Sequence, residues 1–371
     1  MEEVTISVRC KGLELAISAY LSKRGEEWVL CLHGLQSGKE IFRDLLSQPY
    51  LKKYSVLAMD FVGFGKSSKP ESFSYDLEDQ ANVCLDIILK LGMKKIHIIG
   101  HSLGAMVATL LLHLIPEKIA SFVNMEGNLV FADCGASKEV ASLTFKEFSE
   151  AGFEGLKREI AESGLPSAKN RMEWLQQIPD YAFYNSSKSI VTWSKSGKLL
   201  PIFLSSPAKK LYVYGEQSAF KIRVLNDRVA TAEISTAGHF MLTDNPVECL
   251  NVIGAFLEKQ SKKTSFRVFK TEWLEKKFDK LDKSLQERIE KFVPQLEEKG
   301  DVVGKPLSGL PYFREKKFDG HRLYYLVYPS LSVILVVDVS DKKAQEKTIY
   351  QVILNLVQYQ HYVYDIIKEK K

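Results

Sequence analysis

At 371 residues, with 45% apolar and 26% charged side chains, the chain is longer than one hydrophobic core usually serves, and its composition is too ordinary for long disorder. Two domains, or one with a large insertion, are expected. The net charge of +5 is uneven: residues 261–371 carry 22 Lys and Arg against 16 Asp and Glu, whereas residues 1–260 carry 29 against 30.

In chain order, "MEEVTISVRC" lacks the basic and apolar regions of a secretory signal. The stretches "VTISV" and "LELAISAY" read as an antiparallel edge hairpin. "WVLCLH" (28–33), "SVLAMD" (55–60), "KIHIIG" (95–100), "IASFVNM" (119–125), "KLYVYG" (210–215) and "TAEIS" (231–235) follow. Most are nearly all apolar, as strands covered on both faces are. Helical patterns separate them, notably over 75–91 and 102–115, so the first part predicts an α/β fold with a mostly parallel sheet. The longest apolar run, "AMVATLLLHLI", is too short to cross a bilayer, and a cytoplasmic protein without a membrane role is expected. Residues 127–207 have helical periodicity and no strand pattern, and are too long for a simple connection. They predict a helical lid. The lysine-rich "LEKQSKKTS" (257–265) marks a boundary between domains at 1–260 and 265–371. Beyond it come a strand "FRVFK", two amphipathic helices with Pro294 expected to kink or shorten the second, three strands and a closing helix. The five scattered cysteines form no metal-ligand pattern, which predicts reduced, buried thiols, no structural metal and no cofactor.

"GHSLG" at 100–104 fits the G-x-S-x-G turn between a strand and a helix, where glycines permit close backbone approach and Ser102 is exposed as a nucleophile. "LHGLQSG" (32–38) follows a strand and offers the Leu35 N–H, which with the Leu103 N–H makes an oxyanion hole. "AGHFMLTDNP" places His239 after the last strand. Together with "MDFVGFGKS", these motifs resemble the α/β-hydrolase superfamily over residues 1–260. The resemblance implies the chain order Ser, acid, His, with His239 as the base for Ser102. His33 and His101 are expected to shape their turns, and His97, His113, His321 and His361 to lie within elements.

Most members carry the acid in the turn after the strand corresponding to "LYVYG", but Ser218 stands there. Some relatives, the haloalkane dehalogenases among them, carry it after the strand that follows the nucleophile helix, which here ends at Glu126. Glu126 is therefore the expected acid, ahead of Glu216, Asp227 and Asp244. Dehalogenases need a carboxylate nucleophile followed by tryptophan, and Ser102 with Leu103 implies acyl transfer instead. The lid aromatics, Phe131, Phe145, Phe148, Phe153, Trp174, Tyr181, Phe183, Tyr184 and Trp193, suggest an apolar acyl pocket and a short-chain carboxylesterase acting on a small ester. Lactonases, thioesterases, C–C hydrolases and acyltransferases use similar machinery.

In the tail, cationic and aromatic residues alternate: Tyr312, Arg314, Lys316 and Phe318 share one face of a strand, as do Arg322, Tyr324 and Tyr328 on the next. With "PLSGLP", "GHRLYYLVY" and "VSDKK", the layout resembles the RelE/ParE toxin family over about residues 265–367, a small α+β fold. By motif position the resemblance implies Arg314, Lys316, Arg322 and Lys343 as RNA-contacting residues. Ile349 stands where a tyrosine is usual, so a structural or homo-oligomerising role is expected ahead of RNA binding, and RNA binding ahead of cleavage.

Overall fold

A computed structural model describes residues 1–225, 229–261, 266–300, 303–307, 310–328 and 331–369. The chain divides into two compact units, Met1–Lys259 and Gln260–Lys371. Asp227, residues 262–265 of the lysine-rich linker and residues 308–309 of "PLSGLP" lie outside the described residues.

The first unit is built on an eight-stranded sheet in the order β1-β2-β4-β3-β5-β6-β7-β8. Its strands are β1 (Glu2–Cys10), β2 (Leu13–Ser22), β3 (Glu27–Leu32), β4 (Ser55–Met59), β5 (Lys95–His101), β6 (Ile119–Met125), β7 (Lys209–Gly215) and β8 (Ala230–Ile234). β1 and β2 form an antiparallel hairpin, β2 joins β4 antiparallel, and every later pairing is parallel. The period-two geometry of a strand explains why the inner strands are apolar throughout. Trp28, Leu30 and Leu32 of β3 enter one core while Val29 and Cys31 enter the other, on the opposite face. The edge strand β1 alternates exposed and buried positions instead.

The helix Leu103–Leu114 is buried along most of its length, because it lies against the centre of the sheet. It approaches so closely that a Cβ on Gly104 would stand 2.2 Å from Leu32 O and 2.6 Å from His33 O. The helix Leu77–Lys90 is capped by Asp76, whose Oδ1 accepts from Glu78 N–H at 2.8 Å. Asp76 also accepts from the Ser189 hydroxyl at 2.8 Å and the Trp193 indole at 3.3 Å, tying the longest lid helix, Asp180–Lys195, to the unit. Residues 127–207 hold helices and turns and no strand. Four of the lid aromatics, Phe148, Phe153, Phe183 and Tyr184, pack on one another with ring centroids 5.3 to 5.8 Å apart. The cysteines are free. Burial pushes the Cys249 thiol up to about 12, which keeps it protonated.

In the second unit a five-stranded sheet has the order β10-β11-β12-β13-β9. These are β9 (Arg267–Lys270), β10 (Lys305–Leu307), β11 (Leu310–Phe318), β12 (His321–Tyr328) and β13 (Val333–Asp341). β9 lies parallel to β13 and the other pairings are antiparallel. The short β10 adds a strand to the three expected, and the closing helix is two helices, Gln345–Leu354 and Leu356–Glu369. The helix Lys283–Lys299 runs on through Pro294. Losing one N–H bond there is offset by the buried stripe of Leu285, Ile289, Phe292 and Leu296 that holds the helix on the sheet. Among the described residues no helix is long and apolar enough to cross a membrane.

Gly104→Ala should destabilise the first unit by about 3 kcal/mol or more, because backbone oxygens cannot retreat as side chains do. Denaturant unfolding followed by circular dichroism checks this.

Candidate active site

Parallel strands present their C-terminal ends along one edge, and loops leaving that edge converge there. β5 and β6 are paired so that His101 lies beside Met125, which brings the next residues, Ser102 and Glu126, to the same edge. Both have positive φ, 51° in each case, a conformation that non-glycine residues adopt only under tertiary constraint. Ser102 is held there by its N–H donating to Met125 O at 2.9 Å, and Glu126 by its N–H donating to Val213 O at 3.1 Å.

The Glu126 carboxylate is fully buried. Its Oε1 accepts from Gly215 N–H at 2.9 Å, and its Oε2 accepts from Lys221 Nζ at 3.0 Å and from His239 Nδ1 at 2.8 Å. Burial by itself would raise this carboxyl. The His239 hydrogen bond and charge, the Lys221 ammonium and the Gly215 N–H outweigh burial and hold it well below the usual carboxylate range. Glu126 is therefore ionised at any working pH. The bond to Nδ1 fixes the imidazole so that Nε2 is the nitrogen left to take a proton.

The loop bearing His239 is fixed from two sides. Gly238 N–H donates to Asp244 Oδ2 at 3.1 Å, and His101 Nε2–H donates to His239 O at 2.8 Å. The rings of His101 and His239 lie 4.9 Å apart. Burial, with the nearby His239, pushes His101 down to about 3, so it stays neutral and can serve as this donor at neutral pH. His33 shapes the opposite loop: its Nδ1 donates to Gly34 O at 2.8 Å and its Nε2 accepts from Phe61 N–H at 3.0 Å. That loop touches the turn bearing Ser102, since a Cβ on Gly34 would stand 3.1 Å from Ser102 Cβ. Leu35 is thereby placed beside Ser102, and Leu103, as the first residue of its helix, has an N–H that no carbonyl of that helix can accept.

Ser102, Glu126, His239 and Leu35 all line one cavity of about 440 Å³. The other acid candidates lie apart from the imidazole's partner: Glu216 is exposed and accepts from Thr236 N–H at 2.9 Å, and Asp244 holds Gly238. The expectation that the lid aromatics form the apolar acyl pocket is corrected, since none of the nine is among the cavity's lining residues. They pack the lid and anchor it, and the aromatic wall comes instead from Phe220 and Phe240. Lys221, His101, Gln36 and Arg171 also line the cavity, and sequence reasoning assigned none of them a part in it. The lysine three residues beyond Ser218, in the turn where a carboxylate usually stands, is the one signal that could have pointed to a counter-charge for a relocated acid.

The four basic residues singled out in the second unit do not form one surface. Arg322 is buried and lies 3.5 Å from Glu315, on the sheet face with Tyr324. Arg314 donates to Val303 O at 2.8 Å and Gly304 O at 3.0 Å, and Lys316 stands 5.2 Å from the centre of the Phe292 ring, both on the other face. Lys343 is exposed in the turn after β13. The period-two register that put Arg314 and Lys316 together is the same one that turns Arg322 away from them.

Residues 27–166 match the family model described as alpha/beta hydrolase fold. The uncharacterized hydrolase YugF of Bacillus subtilis is 32% identical over 85 residues, which is 23% of this chain and 30% of that protein. The chain spans about a third of the length of the curated relatives it matches. Among solved structures, a thermophilic esterase from Thermogutta terrifontis with malate bound is 19% identical at a TM-score of 0.57, over 70% of this chain and 99% of that one. The N-acyl homoserine lactonase AidH, complexed with N-butanoyl homoserine, is 18% identical at a TM-score of 0.56, over 71% and 98%. The first unit has the alpha/beta hydrolase fold.

Because its pKa is depressed, Glu126 contributes stability above its ordinary value of 4.5 that is lost as pH falls toward the folded-state value. Glu126→Gln, which leaves Lys221 beside a neutral amide, should cost roughly 3–5 kcal/mol at pH 7. That deficit should be constant above about pH 5.5 and shrink toward pH 2 in urea unfolding curves measured across pH.

Proposed function

We propose that the protein is a carboxylic ester hydrolase that uses Ser102 as nucleophile, His239 as general base and Glu126 as the acid that orients it. The observation that carries this reading is the buried Glu126 carboxylate on His239 Nδ1, facing the cavity that Ser102 also lines. In the first half-reaction His239 takes the Ser102 proton as Oγ attacks the ester carbonyl, and the N–H groups of Leu35 and Leu103 receive the oxyanion. The imidazolium then protonates the departing alcohol. In the second half-reaction His239 deprotonates water, which attacks the acyl-enzyme and releases the acid with Ser102 restored. Glu126 remains ionised throughout, as the charge that stabilises the imidazolium. A cavity of about 440 Å³ suits short esters. A lactone is an internal ester and would follow the same steps, a reading favoured by the likeness to AidH.

The second unit is read as a RelE-like fold with a structural or homo-oligomerising role, in a protein of the cytoplasm. Its order of a strand, two helices, antiparallel strands and closing helices supports this reading. Its buried Arg322 and carbonyl-bound Arg314 are committed to the fold rather than offered to phosphate. Tyr350, Leu354 and Val357 are exposed along the closing helices, an apolar surface suited to a second copy.

Against p-nitrophenyl acetate and butyrate, Ser102→Ala should lower kcat by roughly 10⁶-fold and Glu126→Gln by roughly 10⁴-fold. Equal hydrolysis by Ser102→Ala and the wild type would remove the ester reading. Leu354→Glu with Val357→Glu should lower the sedimentation coefficient without changing the far-UV circular dichroism, if these residues meet a second copy.

A further inference from the structure

The cavity contains a cation whose two contacting neighbours hold it in place and carry no charge. Arg171 belongs to the lid helix Ala168–Leu175 and is half-buried in the cavity wall. Its Nε and Nη2 both donate to Gln36 Oε1, at 3.0 and 2.5 Å. Its guanidinium lies 4.6 Å from the centre of the Phe240 ring. Gln36 directly follows the oxyanion donor Leu35, and Phe240 directly follows the base His239. The guanidinium is therefore pinned between the two ends of the reacting centre, by an amide oxygen and a ring, neither of which carries a counter-charge.

The other cation lining the cavity, Lys221, is already bound to Glu126. Asp244, which also lines the cavity, acts on Arg171 through space without a hydrogen bond to it; its Oδ2 accepts from Gly238 N–H and its buried Oδ1 has no hydrogen-bond partner. One turn before Arg171, at the i−4 position of the same helical face, Ser167 is wholly buried, lines the cavity, and has a hydroxyl with no hydrogen-bond partner. A buried hydroxyl without a partner is destabilising unless a ligand satisfies it. A guanidinium fork with unused N–H groups and an adjacent free hydroxyl together match the planar oxygens of a carboxylate.

We propose that Arg171 and Ser167 form an anion subsite, and that the natural substrates are short esters bearing a carboxylate a few carbons from the bond cleaved. This rests on the ester-hydrolase reading and gives it a substrate class. The carboxylate can reside on the acyl or on the alcohol side, since the cavity is continuous around Ser102. Either way, binding exchanges hydration of Arg171 for a charge-assisted contact in a partly desolvated site, where such a contact is worth more than in bulk water.

The test compares two pairs of esters that differ only by carboxylate against methyl: monoethyl glutarate with ethyl valerate for the acyl side, and 4-acetoxybutanoate with butyl acetate for the alcohol side. Rates are measured on the full-length protein by titrating released acid at low ionic strength. The wild type should prefer the anionic member of at least one pair by about tenfold in kcat/KM, chiefly through KM, and added salt should reduce the preference. Arg171→Met should bring that ratio close to one, Arg171→Lys should retain part of it, and Ser167→Ala should lower it about threefold. The proposal is overturned if the wild type shows no anionic preference in either pair. It is equally overturned if Arg171→Met, or Ser167→Ala where Arg171→Met does not fold, leaves the ratio unchanged while both rates fall together, as a mere latch between the lid and Gln36 would. Failure of the ester reading looks different, because Ser102→Ala would then hydrolyse all four esters as fast as the wild type.

Discussion

The arrangement of side chains at the sheet edge of the first unit depends on one buried carboxylate. Glu126 sits at the end of a central strand with no exposed surface, a position that an isolated anion could not occupy without several kcal/mol of desolvation. Three donors from three separate segments make it tenable: the Gly215 N–H at the end of β7, the Lys221 ammonium in the turn beyond, and the His239 imidazole after β8. Each donor is also positioned by the acid it satisfies. The imidazole cannot rotate without orphaning a buried charge, and the turn after β7 cannot move without withdrawing an ammonium from it. Burial of this carboxylate and the orientation of the His239 imidazole thus rest on the same set of contacts.

Lys221 distinguishes this arrangement from a bare carboxylate and imidazole. It shares Oε2 with His239, so the acid faces two cations when the imidazole is protonated and one when it is not. An acid already partly neutralised gives the imidazolium less additional stabilisation than an unpaired one would. With this carboxylate at the end of β6, the turn after β7 is free to supply an ammonium to it.

Much of the first unit was legible because its signals are local. Strands buried on both faces must be apolar, and the inner strands read from the sequence agree with the observed ones to within a residue or so at each end. The elbow around Ser102 is encoded by glycines whose absent Cβ atoms the geometry requires. The pairing of Glu126 with the His239 imidazole was legible only through an absence, the serine standing where an acid is usual, combined with an acidic residue at a strand end. Arg171, His101 and Lys221 were illegible because their positions depend on which loops and helices meet over the sheet edge, and chain separations of 135 between Arg171 and Gln36 or 95 between Lys221 and Glu126 leave no periodic trace. The lid aromatics misled for the same reason: an aromatic packed against another lid helix and one facing a ligand have the same helical spacing. In the second unit, alternation gave the faces of Arg314 and Arg322 but not the register that sets them on opposite sides of the sheet.

Ser102 and Glu126 share one further property, the left-handed backbone that each adopts directly after its strand. Such residues cost of order 1–3 kcal/mol each and persist only where the surroundings over-determine them. Here the constraint is the sheet itself, because Ser102 N–H is held by Met125 O from β6 and Glu126 N–H by Val213 O from β7, so each turn is pinned by the neighbouring strand. Three adjacent parallel strands therefore fix two sharp departures of the chain side by side, and Ser102 and Glu126 are held at the same edge. Relaxing either turn toward ordinary backbone would free local strain, but it would break the ladder that places its neighbour. The strain is retained because the two departures are braced by the same edge.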